Sequence, residues 1–504
     1  MKQVAFTRHG ILRGLDAASK SNTSEGRFGR MFRTLQKADF SQDVLKKLGD
    51  EMVSEKDDPP TPEDANPRDD EENTGIHAGY TYLGQFIDHD ITFDPASSLM
   101  KQNDPDALED FRTPRFDLDN IYGRGPDDQP YLYFQDGKKL LLSSRQLTGS
   151  PFDNNVRDLA RNSPDPKDMG APKRAIIGDP RNDENVIVSQ LEGIFIRFHN
   201  RMVDLFPDDP LEKVQKRVRW HYQWVIIHDF LPTILGQDMV DKIYSSPDKK
   251  PNLEFYHWYK FPYMPVEFSV AAYRFGHSMV RPEYRLNTTL PNRFDIFSSD
   301  PATSLTGFRE FPSPWAIDWR LFYDFGNNAN QFSKERIQPA YKIDTSLVNP
   351  LKNLPTIIAT QVGNLAQRNL LRGLSMGLPS GQDVARAMGQ PVIPDDLLKV
   401  GKANQDGVNK DNKTLVSIDK SFKNKAPLWF YVLAEAMQEF KNNDTPIRMG
   451  PVGGRIIGEV FFGLLDGDSH SYINQHPHFT PDKQFLNAAG KFGIAELITQ
   501  AKQA

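Results

Sequence analysis

The chain has 504 residues with a net charge of −6, long enough to bury a large core and, by length alone, to hold roughly two to four domains. A mild acidic excess with 25% charged residues argues against a nucleic-acid footprint or a polybasic membrane anchor. There is no cysteine, so disulfides and thiolate ligation of metals are excluded, and any metal must be held by histidine, carboxylate, carbonyl or hydroxyl.

The N-terminus, Met1 to Lys20, has no apolar run of signal-peptide length. No stretch approaches the roughly 18 uncharged apolar residues of a membrane span. The expectation is a soluble protein, cytoplasmic by default, with leaderless secretion open. Residues 1–74 read as a polar arm laid on the core. Phe28, Met31, Phe32 and Leu35 predict a short amphipathic helix, Val44 to Leu48 another, and Glu55 to Asn73 a solvated acidic loop. Residues 75–504 read as one domain, loop-rich in its first half. Helices are expected at 191–206, 218–235, 266–280, 356–371, 426–440 and 452–465, where apolar residues recur at helical spacing. Strand alternation is scarce, so the fold class is mainly α, a single large helical domain with little β.

The densest chemistry lies in Gly84-Gln85-Phe86-Ile87-Asp88-His89-Asp90. Three ionisable groups in a row among large apolar residues are costly to bury unless each has a partner. On a helix Asp88 and Asp90 face different sides, so three separate partners are needed. A surface turn carries such a tripeptide equally well. A second candidate is Arg274-Phe275-Gly276-His277, where His277 follows Tyr273 by four positions and Val270 by seven. A lone histidine on an apolar face is more commonly structural. The alternative is an axial ligand, with Gly276 allowing close approach of a flat cofactor and Arg274 facing an anionic group on it.

In order along the chain, His89 in its Gly84 to Asp90 setting, Arg181 in Gly178-Asp179-Pro180-Arg181-Asn182-Asp183-Glu184, and Arg274-Phe275-Gly276-His277 resemble the signatures of animal-type haem peroxidases. This is the peroxidase–cyclooxygenase superfamily that includes myeloperoxidase and lactoperoxidase. The resemblance spans about residues 75–465 and is nearest to a cysteine-free bacterial branch. It implies haem b as cofactor, His277 as proximal iron ligand, and Asn369, in Asn369-Leu370-Leu371-Arg372, as the partner of its other ring nitrogen. It makes His89 the distal base, Arg181 the stabiliser of charge on the leaving oxygen, and Gln85 the residue that holds distal water and small anions. Asp88 and Glu184 match the carboxylates that ester-link haem, while Asn185 stands where a sulfonium-forming methionine would. Asp90, Thr113, the Arg115 carbonyl, Asp117 and Asp119 match the family's calcium ligands, an oxygen set that suits this hard cation. Read without the family, Asp117-Leu118-Asp119 is a solvated turn and Glu184 a carboxylate at a helix N-terminus.

The implied function is reduction of hydrogen peroxide through an oxoferryl intermediate, with oxidation of halide, thiocyanate or small aromatic donors, as in a response to oxidative stress. No nucleic-acid partner is expected, and the oligomeric state is left open. Three rivals remain. A fatty-acid dioxygenase of the same superfamily carries a radical tyrosine three residues before the proximal histidine, where this chain has Arg274. A metallohydrolase would gather His77, Asp88, His89 and Asp90 on zinc or manganese. A calcium-binding adhesion protein would keep the fold without haem. His199, His221 and His228 are expected to be structural, and Gly450 to Gly454 a helix start.

Overall fold

The computed structural model describes residues 26–55, 71–92, 109–110, 112–162, 167–168, 171, 173–326, 335–359, 362–403, 412–440 and 445–504. Phe93 and Asp94, which follow the first motif, and most of the acidic stretch lie outside them. The architecture is mainly α, and its longest strand is Glu72–His77, paired antiparallel with Pro339–Tyr341. That strand occupies the end of the stretch read as an acidic loop, and it leads directly into the helix Ala78–Ile91.

Aromatic packing organises the helices around that element. Phe86 stacks on Phe195 of the helix Val186–Leu205 at 4.3 Å between ring centres. Both rings meet Tyr222 of the helix Leu211–Val225 edge-on. Offset and edge-to-face pairs of this kind add specificity to what is otherwise area burial. The helices Leu428–Gln438 and Pro451–Gly467, both buried along most of their length, close the other side, where Phe461 touches Phe268 and Tyr273.

Three sequence expectations change in the folded chain. Phe28 to Leu35 is not a helix: Gly26–Gly29 is a strand beside Met264–Pro265, and the amides of Met31 and Phe32 donate to the buried Glu267 carboxylate at 3.0 and 3.1 Å. Those bonds replace the helical ones. The segment 266–280 is a π turn, Glu267–Ala271, running into a 3-10 turn, Ala272–His277, with the break at Ala271. The fourth helix begins at Leu365, capped by the Asn364 side chain on the amide of Gln367, and not at Thr356. Gly363, just before that cap, separates it from the turn that follows Pro355.

Candidate active site

His89 lies in the last turn of the helix Ala78–Ile91, buried. Its Nδ1 is 2.6 Å from Asn182 Oδ1, and Asn182 Nδ2 donates to Glu192 Oε2 at 2.8 Å. Because an amide oxygen only accepts, Nδ1 carries the hydrogen and the ring's lone pair sits on Nε2. Glu192 thereby sets the orientation of the amide, and the amide sets the tautomer of the histidine. Burial first, then the Arg181 guanidinium, pushes the His89 pKa down to about 4, so the ring is neutral over most of the pH range.

Asp88 and Asp90 part company as the helical geometry requires. Asp88 faces a cavity and accepts from Thr92 Oγ1 at 3.1 Å. Asp90 points the other way, into a cluster where ligand oxygens of Asp90, Asp117 and Asp119 lie within 4.8 Å of one another. Both Asp90 carboxylate oxygens and Asp117 Oδ1 are buried with no hydrogen-bond partner. Burial raises all three pKa values, that of Asp119 to about 7. Thr113 Oγ1 donates to Asp117 Oδ2 at 2.8 Å, and Leu118, at φ 58°, holds the left-handed turn between the two aspartates. Three clustered carboxylates, two of them with orphaned oxygens, and a hydroxyl alongside form a donor set suited to a hard cation.

Arg181 follows Asp179 on a short 3-10 turn and pairs with its carboxylate at 2.7 Å, while its Nη2 also donates to the carbonyls of His89 and Thr92. Asp179, paired with Arg112 as well, is held far below the usual carboxylate range by these two guanidiniums despite its burial. Gln85, one turn before His89, donates to Glu184 Oε1 and accepts from Asn185 Nδ2 at 3.2 Å. Asn185 also caps the helix Val186–Leu205 through the amides of Ile187 and Val188. Burial lifts Glu184 to about 7.

These groups share a cavity of about 500 Å³ with His277. His277 ends the 3-10 turn, and its Nδ1 is 2.7 Å from the Asn369 amide nitrogen. Burial, then Arg274 and Arg368, pushes its pKa down to about 3. Among the described residues, neither histidine's Nε2 has a hydrogen-bond partner. A Cβ added at Gly276 would meet nothing within 4 Å, so the backbone beside His277 borders open space. Arg274, Arg368 and Arg372 supply cations, while Val270, Phe275, Ile296, Phe297 and Leu354 supply apolar wall. Two imidazoles with free Nε2 atoms, an apolar slot and cations together fit a flat, anionic, iron-bearing cofactor.

Every residue expected at the haem pocket (Gln85, Asp88, His89, Arg181, Glu184, Arg274, His277 and Asn369) lines this one cavity. Tyr273 lines it too and donates to the Gly84 carbonyl at 3.3 Å. The metallohydrolase set does not assemble: Asp90 is in the aspartate cluster, and His77 precedes the first turn of the helix that carries His89 near its other end. His199 and His221 make structural hydrogen bonds to the carbonyls of Lys138 and Arg217. Sequence reading missed Asp179, Asn182, Glu192 and Arg368. The first two lie inside the quoted Arg181 motif, and Glu192 is a charge on an otherwise apolar helix face, which is the signal that could have found it.

The fold and the cavity define a mainly helical protein with two histidines on one cofactor-sized cavity. Residues 110–503 match the animal haem peroxidase family, and the chain belongs to it; the matched span holds Arg181, His277 and Asn369 and begins after the His89 helix. Thyroid peroxidase of Rattus norvegicus is 26% identical over 323 residues, which is 62% of this chain and 32% of that protein. Peroxidasin of Drosophila melanogaster is 24% identical over 333 residues, 63% of this chain and 20% of that protein. The chain thus spans a third or less of the length of these curated relatives. Peroxidase A from Dictyostelium discoideum has a similar fold, with a TM-score of 0.54 at 16% identity over 92% of this chain and 91% of that one. Fatty acid alpha-dioxygenase from Arabidopsis thaliana gives 0.52 at 14% identity, over 95% and 76%. Among the described residues no helix is long and apolar enough to cross a membrane.

Proposed function

We propose that this chain is a haem peroxidase that reduces hydrogen peroxide and oxidises halide, thiocyanate or small aromatic donors. The observation that carries the reading is the pair of histidines on one cavity, His89 buried and His277 half-buried, each with Nδ1 held by an asparagine amide and Nε2 left free. The haem would supply a redox centre that gives two electrons to peroxide and regains them from the donors one or two at a time.

The chain's own residues do the rest. His277 Nε2 would hold the iron, which requires the hydrogen to sit on Nδ1. With the Asn369 amide nitrogen facing Nδ1 the hydrogen sits on Nε2 instead; a half-turn of the amide presents Oδ1, and Nδ1 then donates. On the other wall His89 Nε2 takes a proton from the bound peroxide oxygen and delivers it to the departing one. Arg181, held by Asp179, stabilises the charge that builds on the leaving oxygen. Gln85 orients water or a small anion. Asp88 and Glu184 are the carboxylates through which the haem would be esterified, and Asn185 offers no third link. Asp90, Thr113, the Arg115 carbonyl, Asp117 and Asp119 would hold calcium, and that ion would pin the residue that follows His89.

Absorption spectra of haem-loaded protein, before and after peroxide and beside His277→Ala, test the reading. A Soret band that moves with peroxide and is absent in the variant is the expected result. Failure to take up haem overturns it.

A further inference from the structure

Tyr80 begins the helix that carries His89, and it has no part in the chemistry above. It lines the same cavity. Its neighbour Thr81 lies against the Met279 carbonyl, 3.5 Å from Oγ1, so this end of the helix abuts the segment just after His277. The Tyr80 hydroxyl leaves the cavity side and donates to Asp229 Oδ1 at 2.5 Å, within the short range of a hydroxyl bonded to an ionised carboxylate, roughly 2.5–2.7 Å. Asp229 belongs to a π turn, Ile226–Phe230, and its other oxygen accepts from the amide of Ile494 at 2.8 Å. Tyr80 and Asp229 are half-buried, and the adjacent His228, whose ring packs tilted against Trp224 with centres 3.8 Å apart, is exposed. The phenol therefore stands between the cofactor cavity and the outside, with a fixed base at its oxygen.

From this geometry we infer that Tyr80 is a one-electron relay, with Asp229 as its proton acceptor, for phenolic donors too bulky to enter the cavity. The inference rests on the haem peroxidase reading. One electron passes from the Tyr80 ring to the peroxide-oxidised cofactor, and the hydroxyl proton passes to Asp229 Oδ1, leaving a neutral phenoxyl radical beside a carboxylic acid. A phenol docked at the His228 rim then returns one electron to Tyr80. The Asp229 proton moves back to the Tyr80 oxygen, and the donor releases its own proton to solvent. Burial raises the pKa of Asp229, which favours its taking the proton. The Tyr323 ring, edge-on at 5.5 Å and anchored by its hydroxyl on the Gly79 carbonyl, holds the phenol in place.

The test is radical mapping on haem-loaded full chain. Peroxide is added with a nitroso spin trap, the Soret band is followed in the same sample, and adducts are located by mass spectrometry and electron paramagnetic resonance. The expected result is an adduct on Tyr80, lost in Tyr80→Phe, which keeps the ring and its packing. In Asp229→Asn the adduct yield falls severalfold, because the amide does not take the proton. A peroxide-responsive Soret band with no adduct on Tyr80, or an adduct that Asp229→Asn leaves unchanged, overturns the relay and spares the peroxidase reading. A Soret band that peroxide does not move overturns both.

Discussion

Asn182 is the residue whose replacement separates orientation from charge at His89. In Asn182→Leu the Nδ1 hydrogen loses its acceptor at 2.6 Å in a buried setting. Either that donor stays unpaired, at about 1–3 kcal/mol, or the hydrogen moves to Nε2, where it faces the cavity. The second outcome removes the lone pair that accepts the peroxide proton. A tautomer bias of that size shrinks the base-competent fraction roughly 5- to 150-fold, and the rate of reaction with peroxide falls by the same factor while haem content and donor KM hold. His89→Ala sets the floor, at roughly 10²- to 10⁴-fold below the parent. Glu192→Gln is the companion: its amide oxygen still accepts from Asn182 Nδ2, so orientation survives without the carboxyl and the rate stays near the parent. Stopped-flow absorbance at the Soret band measures all three. A rate in Asn182→Leu indistinguishable from the parent, or a collapse in Glu192→Gln, refutes the tautomer argument.

Four further outcomes follow from the same geometry. The peroxide step should fail as pH falls through about 4, because burial and Arg181 place the His89 pKa there; above that pH the ring is neutral and competent, below it the lone pair is protonated, and an inflection near the ordinary value of about 6.5 would contradict the burial argument. Gly276→Leu should leave thermal stability of the haem-free chain nearly unchanged, since its Cβ enters open space, and should abolish haem uptake measured by Soret titration; normal uptake would remove Gly276 from the cofactor's edge. Calcium should raise the melting temperature, by the equivalent of about 2.7 kcal/mol at a hundredfold excess over Kd, and Asp90→Asn should erase that response. The same variant should stabilise the calcium-free chain most at higher pH: the raised pKa of Asp90 means that the native state binds its proton more tightly, so stability is lost as pH rises and the buried charge must form. Calorimetry that finds Asp90→Asn still responsive to calcium would dismiss the aspartate cluster as the site.

Much of the candidate site was legible because it is local. His89 with its flanking aspartates, Arg181 and the Gly276-His277 pair are contiguous motifs, and the rule that residues two apart diverge on a helix correctly sent Asp88 and Asp90 to different partners. The mainly α class was legible from 3.6-residue apolar spacing, as in Val186–Leu205 and Pro451–Gly467. Tertiary structure decided what depends on partners far along the chain. Phe28 to Leu35 has a helical apolar period, but its amides went to Glu267, more than 230 residues away. Asn182 sits inside the Arg181 motif, but its role, and that of Glu192, is set only when the fold places Asn182 2.6 Å from His89 and Glu192 2.8 Å from Asn182. The same holds for Tyr80 and Asp229, which lie 149 positions apart. Spacing within one element is written in the sequence by backbone geometry; a hydrogen bond between two elements is chosen only when burial leaves each polar group a single place to satisfy itself.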